Sequence, residues 1–274
     1  MKIYERILSS KDSNYMGMDT LTDELLENSK KHTVMYSGGH DCTLVLLGLC
    51  ELKVEGKLKG DIQIVHCTGL CTESKDKAEE IAIRKILKFI KKKFKINIQV
   101  IKIFIRASYK LTEVPYHIGY VLQYIYLVNA YHLFDDNACV YIGSIGDDPD
   151  QIKLPYIKNI IDNLGKIRSN KINLITPIWD CDKETVISSL IQYYPEVMKM
   201  VVTCESPTRL KNNHIKPCEI CEKCMEAKQA LSSIFNDDNL REIKTSKLLS
   251  ITEKKVKERL ESEKTKSEEI KLDK

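Results

Sequence analysis

Two rhythms of apolar and polar residues alternate along the chain. Short runs dominated by apolar and β-branched residues read as strands: "HTVMY" at 32–36, "DIQIVHC" at 61–67, "INIQVIKIFI" at 96–105, "ACVYIGS" at 138–144 and "INLITPIW" at 172–179. Between them lie stretches with helical spacing. In "ESKDKAEEIAIRKILKFIKKKF", Ala78, Ile81, Ala82, Ile86, Phe89 and Ile90 recur on one face. "DCTLVLLGLC" begins a helix directly after a glycine turn, and "VPYHIGYVLQYIYLVNAYHLF" predicts a long apolar helix with Pro115 in its first turn. A helix centred on Ile160 and another over "DKETVISSLIQYY", capped by Asp182, complete the series. Up to about Lys31 the pattern predicts an irregular lead-in and then a helix, with Asp19 or Thr20 as cap and Leu21, Leu25 and Leu26 as its apolar face.

Strand–helix alternation of this kind predicts an α/β fold: a parallel five-stranded sheet with helices on both faces. Ligands of such sheets sit at the carboxyl ends of the strands, beside a reversal of strand order. From Thr252 to Lys274 the composition turns to Lys and Glu in near balance, which predicts a solvated helix or an unstructured tail.

Charge and length narrow the picture further. The 274 residues can bury a sizeable core. The net charge of +4, from 43 basic and 39 acidic side chains, is too small at this length to call for nucleic acid. No apolar run is long enough to span a bilayer, and the charged opening "MKIYERILSSKDS" lacks the apolar region of a signal peptide, so a soluble, cytoplasmic protein is expected.

"VMYSGGHDCTLVLLGLC" raises the first chemical question. A strand that ends in small residues and then starts a helix aims free backbone N–H groups and the positive end of the helix dipole at one spot. Glycines there permit close approach of an anion, and the hydroxyls of Ser37 and Thr43 would add donors. The same "SGG" also builds an ordinary tight turn. His40 is expected as an exposed loop residue, with a catalytic role as the alternative.

Ten cysteines raise the second. Cys42, Cys50, Cys67, Cys71, Cys139 and Cys181 are scattered in or beside apolar runs and read as small buried residues of a reducing compartment. Cys204, Cys218, Cys221 and Cys224 form C-x13-C-x2-C-x2-C, the spacing of a closed four-thiolate zinc site that would brace a C-terminal lobe. The alternatives are a redox C-x-x-C, chance clustering, or His214 in place of one cysteine.

Ser37, Gly38, Gly39, His40, Asp41 and Cys42 resemble the Ser-Gly-Gly-x-Asp-Ser loop of the ATP pyrophosphatase (PP-loop) superfamily, with Cys42 standing where that family has a second serine. Together with the cysteine run, the chain from Thr33 to Leu231 resembles the 7-cyano-7-deazaguanine synthases of queuosine precursor biosynthesis. "ITPIWDCDKETV" supplies Thr176, Pro177, Trp179 and Lys183 of a similar family segment, and "VVTCES" supplies Thr203 and Cys204. The resemblance implies an adenine nucleotide alpha hydrolase-like fold, with an N-terminal extension at 1–31 and an ATP-binding domain at 32–200. It also implies a zinc-binding helical region at 201–250 and a charged tail at 251–274. It implies cleavage of ATP to AMP and pyrophosphate, activation of a carboxylate on a 7-deazaguanine as the acyl-adenylate, and conversion by ammonia to amide and nitrile.

Carried onto this chain, the resemblance implies that Ser37, Gly38, Gly39, Asp41, Cys42 and Thr43 hold the pyrophosphate, with Mg²⁺ near Asp41. Lys183 would steady phosphate charge, the alternative being an ordinary surface lysine, and Asp147 or Asp148 in "YIGSIGDD" would lie near the substrate. The family's motifs after the second strand, at the start of the long middle helix and after the acidic loop are replaced here by "HCTGLCTES", "PYHIGY" and "DPDQIKLP". Three alternatives stand beside this reading, the departures suiting the first two. One is a synthase-like anti-phage defence protein that attaches a deazaguanine to a protein amine. The others are a non-catalytic nucleotide-binding partner and a PP-loop tRNA-modifying enzyme. The resemblance allows a homodimer.

Overall fold

The computed structural model describes residues 2–9, 18–69, 72–104, 138–146, 154–168, 171–209 and 215–236. Five strands, β1 (Lys31–Met35), β2 (Asp61–Thr68), β3 (Gln99–Phe104), β4 (Ala138–Tyr141) and β5 (Ile172–Ile175), form one sheet in the order β3-β2-β1-β4-β5. Every pairing is parallel, from Lys31 beside Asp61 to Tyr141 beside Ile175. The expected fold class is therefore the observed one. Strand order grows from β1 through β2 to β3 and then restarts on the other side of β1, so the reversal lies between β1 and β4. The glycine turn leaves β1 at that crevice.

Helix α3 (His40–Val54) is the centre of one layer. Its residues from Cys42 to Leu52 are buried all round, which is the signature of a helix enclosed by other elements. Leu44, Val45, Leu46, Leu47 and Leu49 share a core with Val34 and Ile64 of the sheet, with Ile3 of α1 (Ile3–Ser9) and with Ile86 of α4 (Glu73–Phe94). Val186 and Leu190 of α6 (Lys183–Tyr193) close the layer. On the opposite face, Leu154, Ile157 and Ile161 of α5 (Leu154–Arg168) pack on Val65, Val140 and Leu174. A buried carboxylate ties the first layer together: Glu51 accepts the Tyr4 N–H at 2.8 Å and the Tyr194 hydroxyl at 2.5 Å.

Helix α4 covers the expected residues from end to end. Thr72 caps it by accepting the Lys75 N–H at 3.3 Å, and Lys95 stops it in the left-handed region at φ 62°. Asp182 caps α6 as expected, accepting from Thr185 N at 2.7 Å. Two expectations are corrected. The lead-in is not irregular throughout, since it includes α1, whose seven residues are too few to show a period in the sequence. The cap of α2 (Asp23–Asn28) is Thr22, bonded to Leu25 N at 3.2 Å, and not Asp19 or Thr20. Asp19 instead lies along β5, donating its N–H to Leu174 O at 2.9 Å and accepting the Leu174 N–H on Oδ2 at 2.7 Å. The long apolar helix expected at 114–134 and the charged tail lie outside the described residues. No helix among the described residues is long and apolar enough to cross a membrane.

Strand β4 stops at Tyr141, short of the apolar run that predicts it, because the chain must slide past the start of α3. A Cβ on Gly143 would meet Cys42 N at 2.6 Å and Asp41 C at 2.8 Å. Both are backbone atoms of a buried helix and cannot swing aside. Gly143→Ala is expected to lower stability by about 1–3 kcal/mol in urea unfolding, where an unchanged midpoint would show that the crevice is slack.

Candidate functional site

The turn from β1 into α3 carries three of the expected residues, Ser37, Gly38 and Gly39. Gly38 adopts φ +83°, a conformation side chains rarely take, and a Cβ there would lie 3.2 Å from Ala82 Cβ. Gly39 caps α3 in extended conformation with no side-chain hydrogen bond, so no capping side chain claims the first-turn amides. Ser37 is exposed at the mouth. The arrangement suits an anion set against the helix N-terminus at the sheet's switch point.

Asp41 and Lys183, 142 residues apart in sequence, meet beside this turn. The Lys183 ammonium lies 2.8 Å from Asp41 Oδ1 and 2.6 Å from Oδ2, with both side chains largely buried. Lys183 is therefore not an ordinary surface lysine. The segment after β5 delivers it: Trp179 N donates to Thr176 O at 3.4 Å and Cys181 N to Ile178 O at 3.1 Å, while Gly146 N reaches Cys181 O at 2.8 Å. Asp147 and Asp148 lie outside the described residues.

Cys42 and Thr43 turn their side chains inward. The Thr43 hydroxyl is fully buried, 2.9 Å from the Tyr36 hydroxyl. The Cys42 thiol donates to Gly39 O at 3.4 Å and lies 3.7 Å from Ser37 Oγ. Burial pushes this thiol's pKa up, opposed by the backbone N–H groups of Ser37 and Gly38 that face the sulfur. Cys42 thus braces the turn from inside as a neutral thiol. The expectation for His40 is corrected: it is buried, with no partner for Nδ1 among the described residues, because it opens a helix that the core surrounds. Burial lowers its pKa to about 4, with Asp41 pulling up and Lys183 pushing down, so the ring is neutral.

Three further residues flank the turn that the sequence reading passed over. His66 of β2 faces Tyr36 O through Nδ1 at 3.1 Å, which makes Nδ1 the donor and leaves Nε2 a buried acceptor with no partner among the described residues. Glu79 of α4 lies 3.8 Å from the same ring, and burial raises its pKa to about 8; Lys75 opposes this, while Asp76 and Glu205 add to it. Ser144, just past Gly143, keeps a buried hydroxyl that finds no partner among the described residues. Their only sequence signal was a polar residue at the carboxyl end of a strand or on the inward face of α4.

The cysteine run forms a compact cluster. The sulfurs of Cys204, Cys218, Cys221 and Cys224 all lie within 4.8 Å of one another and could hold a metal ion. A tetrahedral ion with sulfur at ~2.3 Å needs its four sulfurs about 3.8 Å apart, so the cluster suits a single ion. Backbone amides already point at the sulfurs: Cys218 N to Cys204 at 3.1 Å, Cys221 N to Cys218 at 3.3 Å and Glu205 N to Cys221 at 3.4 Å. Such bonds favour thiolate, and the N–H groups of Ile220 and Cys221 hold the Cys218 thiol below its usual range. Cys221 precedes and Cys224 opens helix α7 (Glu222–Asn236), which packs on α6 through Ala230 and Ile234 against Ile187 and Ile191. His214 lies outside the described residues. Of the scattered cysteines, Cys42, Cys50, Cys139 and Cys181 are buried as expected, Cys67 is half-buried, and Cys71 lies outside the described residues.

No family model and no curated protein matches the chain. Among solved structures it is similar to the U34-tRNA thiolase NcsA from Methanococcus maripaludis with its [4Fe-4S] cluster, at 13% identity and a TM-score of 0.47, covering 93% of this chain and 78% of that one. It is also similar to the NH3-dependent NAD synthetase from Campylobacter jejuni subsp. jejuni NCTC 11168 in complex with the nitrate ion, at 9% identity and a TM-score of 0.30, covering 93% of each chain.

Glu79 gives a pH test of the site. Its folded pKa lies above the ordinary carboxyl value of 4.5, so its contribution to stability is complete below pH 4.5 and is lost as pH rises through about 8. Urea unfolding of the native chain is expected to weaken between pH 5 and pH 8.5 by on the order of a few kcal/mol more than that of Glu79→Gln. Parallel profiles for the two proteins would mean that Glu79 ionises freely in place.

Proposed function

We propose that this chain is a PP-loop enzyme that splits ATP between its α and β phosphates to activate a carboxylate carried by a 7-deazaguanine. One observation carries the reading: a lysine–carboxylate pair, Lys183 with Asp41, is set at a glycine turn in the crevice where strand order reverses. A cation and free helix amides converging on one spot suit the charge of a leaving pyrophosphate. The Ser-Gly-Gly-x-Asp order of the turn and the four cysteines that follow it favour the 7-cyano-7-deazaguanine synthase-like member of this class.

In the proposed reaction a substrate carboxylate oxygen attacks the α-phosphorus of ATP, and the bond to the β-phosphate oxygen breaks. The pyrophosphate leaves against the turn, held by the backbone of Gly38 and Gly39, the Ser37 hydroxyl and Lys183. Ammonia then attacks the acyl carbon, AMP departs with the bonding electrons, and a proton is lost to give the amide. The amide oxygen then attacks the α-phosphorus of a second ATP, expelling pyrophosphate; loss of both N–H protons and departure of that oxygen on AMP leave the nitrile. Both oxygens of Asp41 face Lys183, so they form no ready cage for Mg²⁺, which in such reactions is carried largely by the phosphates. Cys204, Cys218, Cys221 and Cys224 would hold Zn²⁺, which with four thiolates is closed to substrate and supplies structure, not chemistry. The partners in this reading are the deazapurine and ammonia, with a protein amine as the alternative acceptor.

The test is an assay of the zinc-replete chain with ATP, Mg²⁺, ammonium and 7-carboxy-7-deazaguanine, following the base by mass spectrometry and counting AMP and pyrophosphate. The nitrile is expected, and Asp41→Asn and Lys183→Met are each expected to lower kcat about 10²-fold or more. AMP without nitrile would move the acceptor to a protein amine. No AMP at all would leave a nucleotide-binding partner without catalysis.

A further inference from the structure

The short segment between α6 and the cysteine cluster touches the glycine turn directly. Val202 donates its N–H to Gly38 O at 2.9 Å. A Cβ on Gly39 would lie 3.5 Å from Thr203 Cγ2 and 3.8 Å from Val202 O, so the next residue along also lies against the turn. Cys204 follows at once and is buried. From Val201 to Cys204 the chain is neither helix nor strand, and no ladder of its own fixes its path.

A second tie reaches the same place from the other side. Helix α4 lines Gly38 with Ala82 Cβ at 3.2 Å and Glu79 O at 3.6 Å from where a Cβ would stand. One turn earlier, the largely buried Lys75 binds Glu205 Oε2 at 2.9 Å, joining α4 to the residue after Cys204. Gly38 is thus held between α4 and the Val202 segment, and these two are pinned to each other beside the cysteines. Of the other three cysteines, Cys218 and Cys221 lie in the turn that leads into α7 and Cys224 in its first turn; α7 is grounded on α6, whose first residue is Lys183. The turn at 218–224 supplies three of the four sulfurs; the fourth, Cys204, 14 residues before Cys218, draws in the segment that holds the glycine turn.

We propose that the cysteine-bound metal is the positioning element of the glycine turn: by fixing Cys204 it holds Val202 on the Gly38 carbonyl, so anion affinity at the turn depends on the metal. Val202, Lys75 and Glu205 are positioning residues in this scheme. The affinity part rests on the pyrophosphate reading above, whereas the Val202 bond does not.

The test uses the full chain, zinc-loaded and then zinc-depleted by a chelator under reducing conditions, with far-ultraviolet circular dichroism as a check on the sheet. Amide hydrogen exchange at Val202 and pyrophosphate binding by calorimetry are the two readouts. Zinc removal is expected to speed Val202 exchange and to weaken pyrophosphate binding, each by about tenfold or more, the equivalent of one lost hydrogen bond. Lys75→Met and Val202→Pro, both retaining zinc, are expected to weaken pyrophosphate binding by about threefold to tenfold. Unchanged Val202 exchange and unchanged affinity on zinc removal would overturn the proposal. If chelation unfolds the sheet, the two zinc-loaded variants decide, and native affinity in both overturns it. If pyrophosphate binds no form, the phosphate reading fails and Val202 exchange alone decides the coupling.

Discussion

Leu44, Val45, Leu46, Leu47, Leu49 and Leu52 leave the helix after the glycine turn no face to offer to water, and the neighbouring elements lie where they cover it. The sheet takes one side; α1, α4 and α6 take the others. Enclosure has a chemical result at the helix's first turn. Residues that would be solvated at an open N-terminus are forced inside: His40 is buried and neutral, and Cys42 is packed beneath the turn. The backbone amides, the exposed Ser37 and the Asp41–Lys183 pair remain as polar features of the mouth.

The site is therefore made mostly of main chain, held by contacts between distant parts of the sequence. Gly143 lets β4 come within backbone distance of α3, and Gly38 lets α4 approach the turn. Lys183 arrives from beyond β5 and Val202 from beyond α6. A constellation so dispersed is rigid only if each supporting element is itself fixed, which gives the buried Glu51 bridge and the cysteine lobe a bearing on the mouth.

The sheet and most of its helices were legible in the sequence because their signals are periodic and local. Helix α4 and the Asp182 cap follow from residues three or four apart, and the cysteine cluster follows from a spacing rule. What escaped was set by long-range contact. Nothing around His40 announces that its helix will be enclosed, and α1 is too short for a period. The Lys75–Glu205 pair spans 130 residues, and Lys75 looks from its neighbours like one more charged residue on a solvated helix start. That His66 Nε2 and Ser144 Oγ find no partner among the described residues becomes visible only when their neighbours are known.

Asp19 carries a consequence for how copies of this chain can meet. A bare edge strand is a template onto which another molecule can add its own strand. On β5 that invitation is withdrawn at Leu174, where the main chain and side chain of one aspartate take both the N–H and the C=O that a newcomer would need. The Lys158 ammonium, 3.2 Å from Asp19 Oδ2, sets a further charge at the same border. Any association of two copies through continuation of the sheet past Leu174 would first have to dislodge this residue.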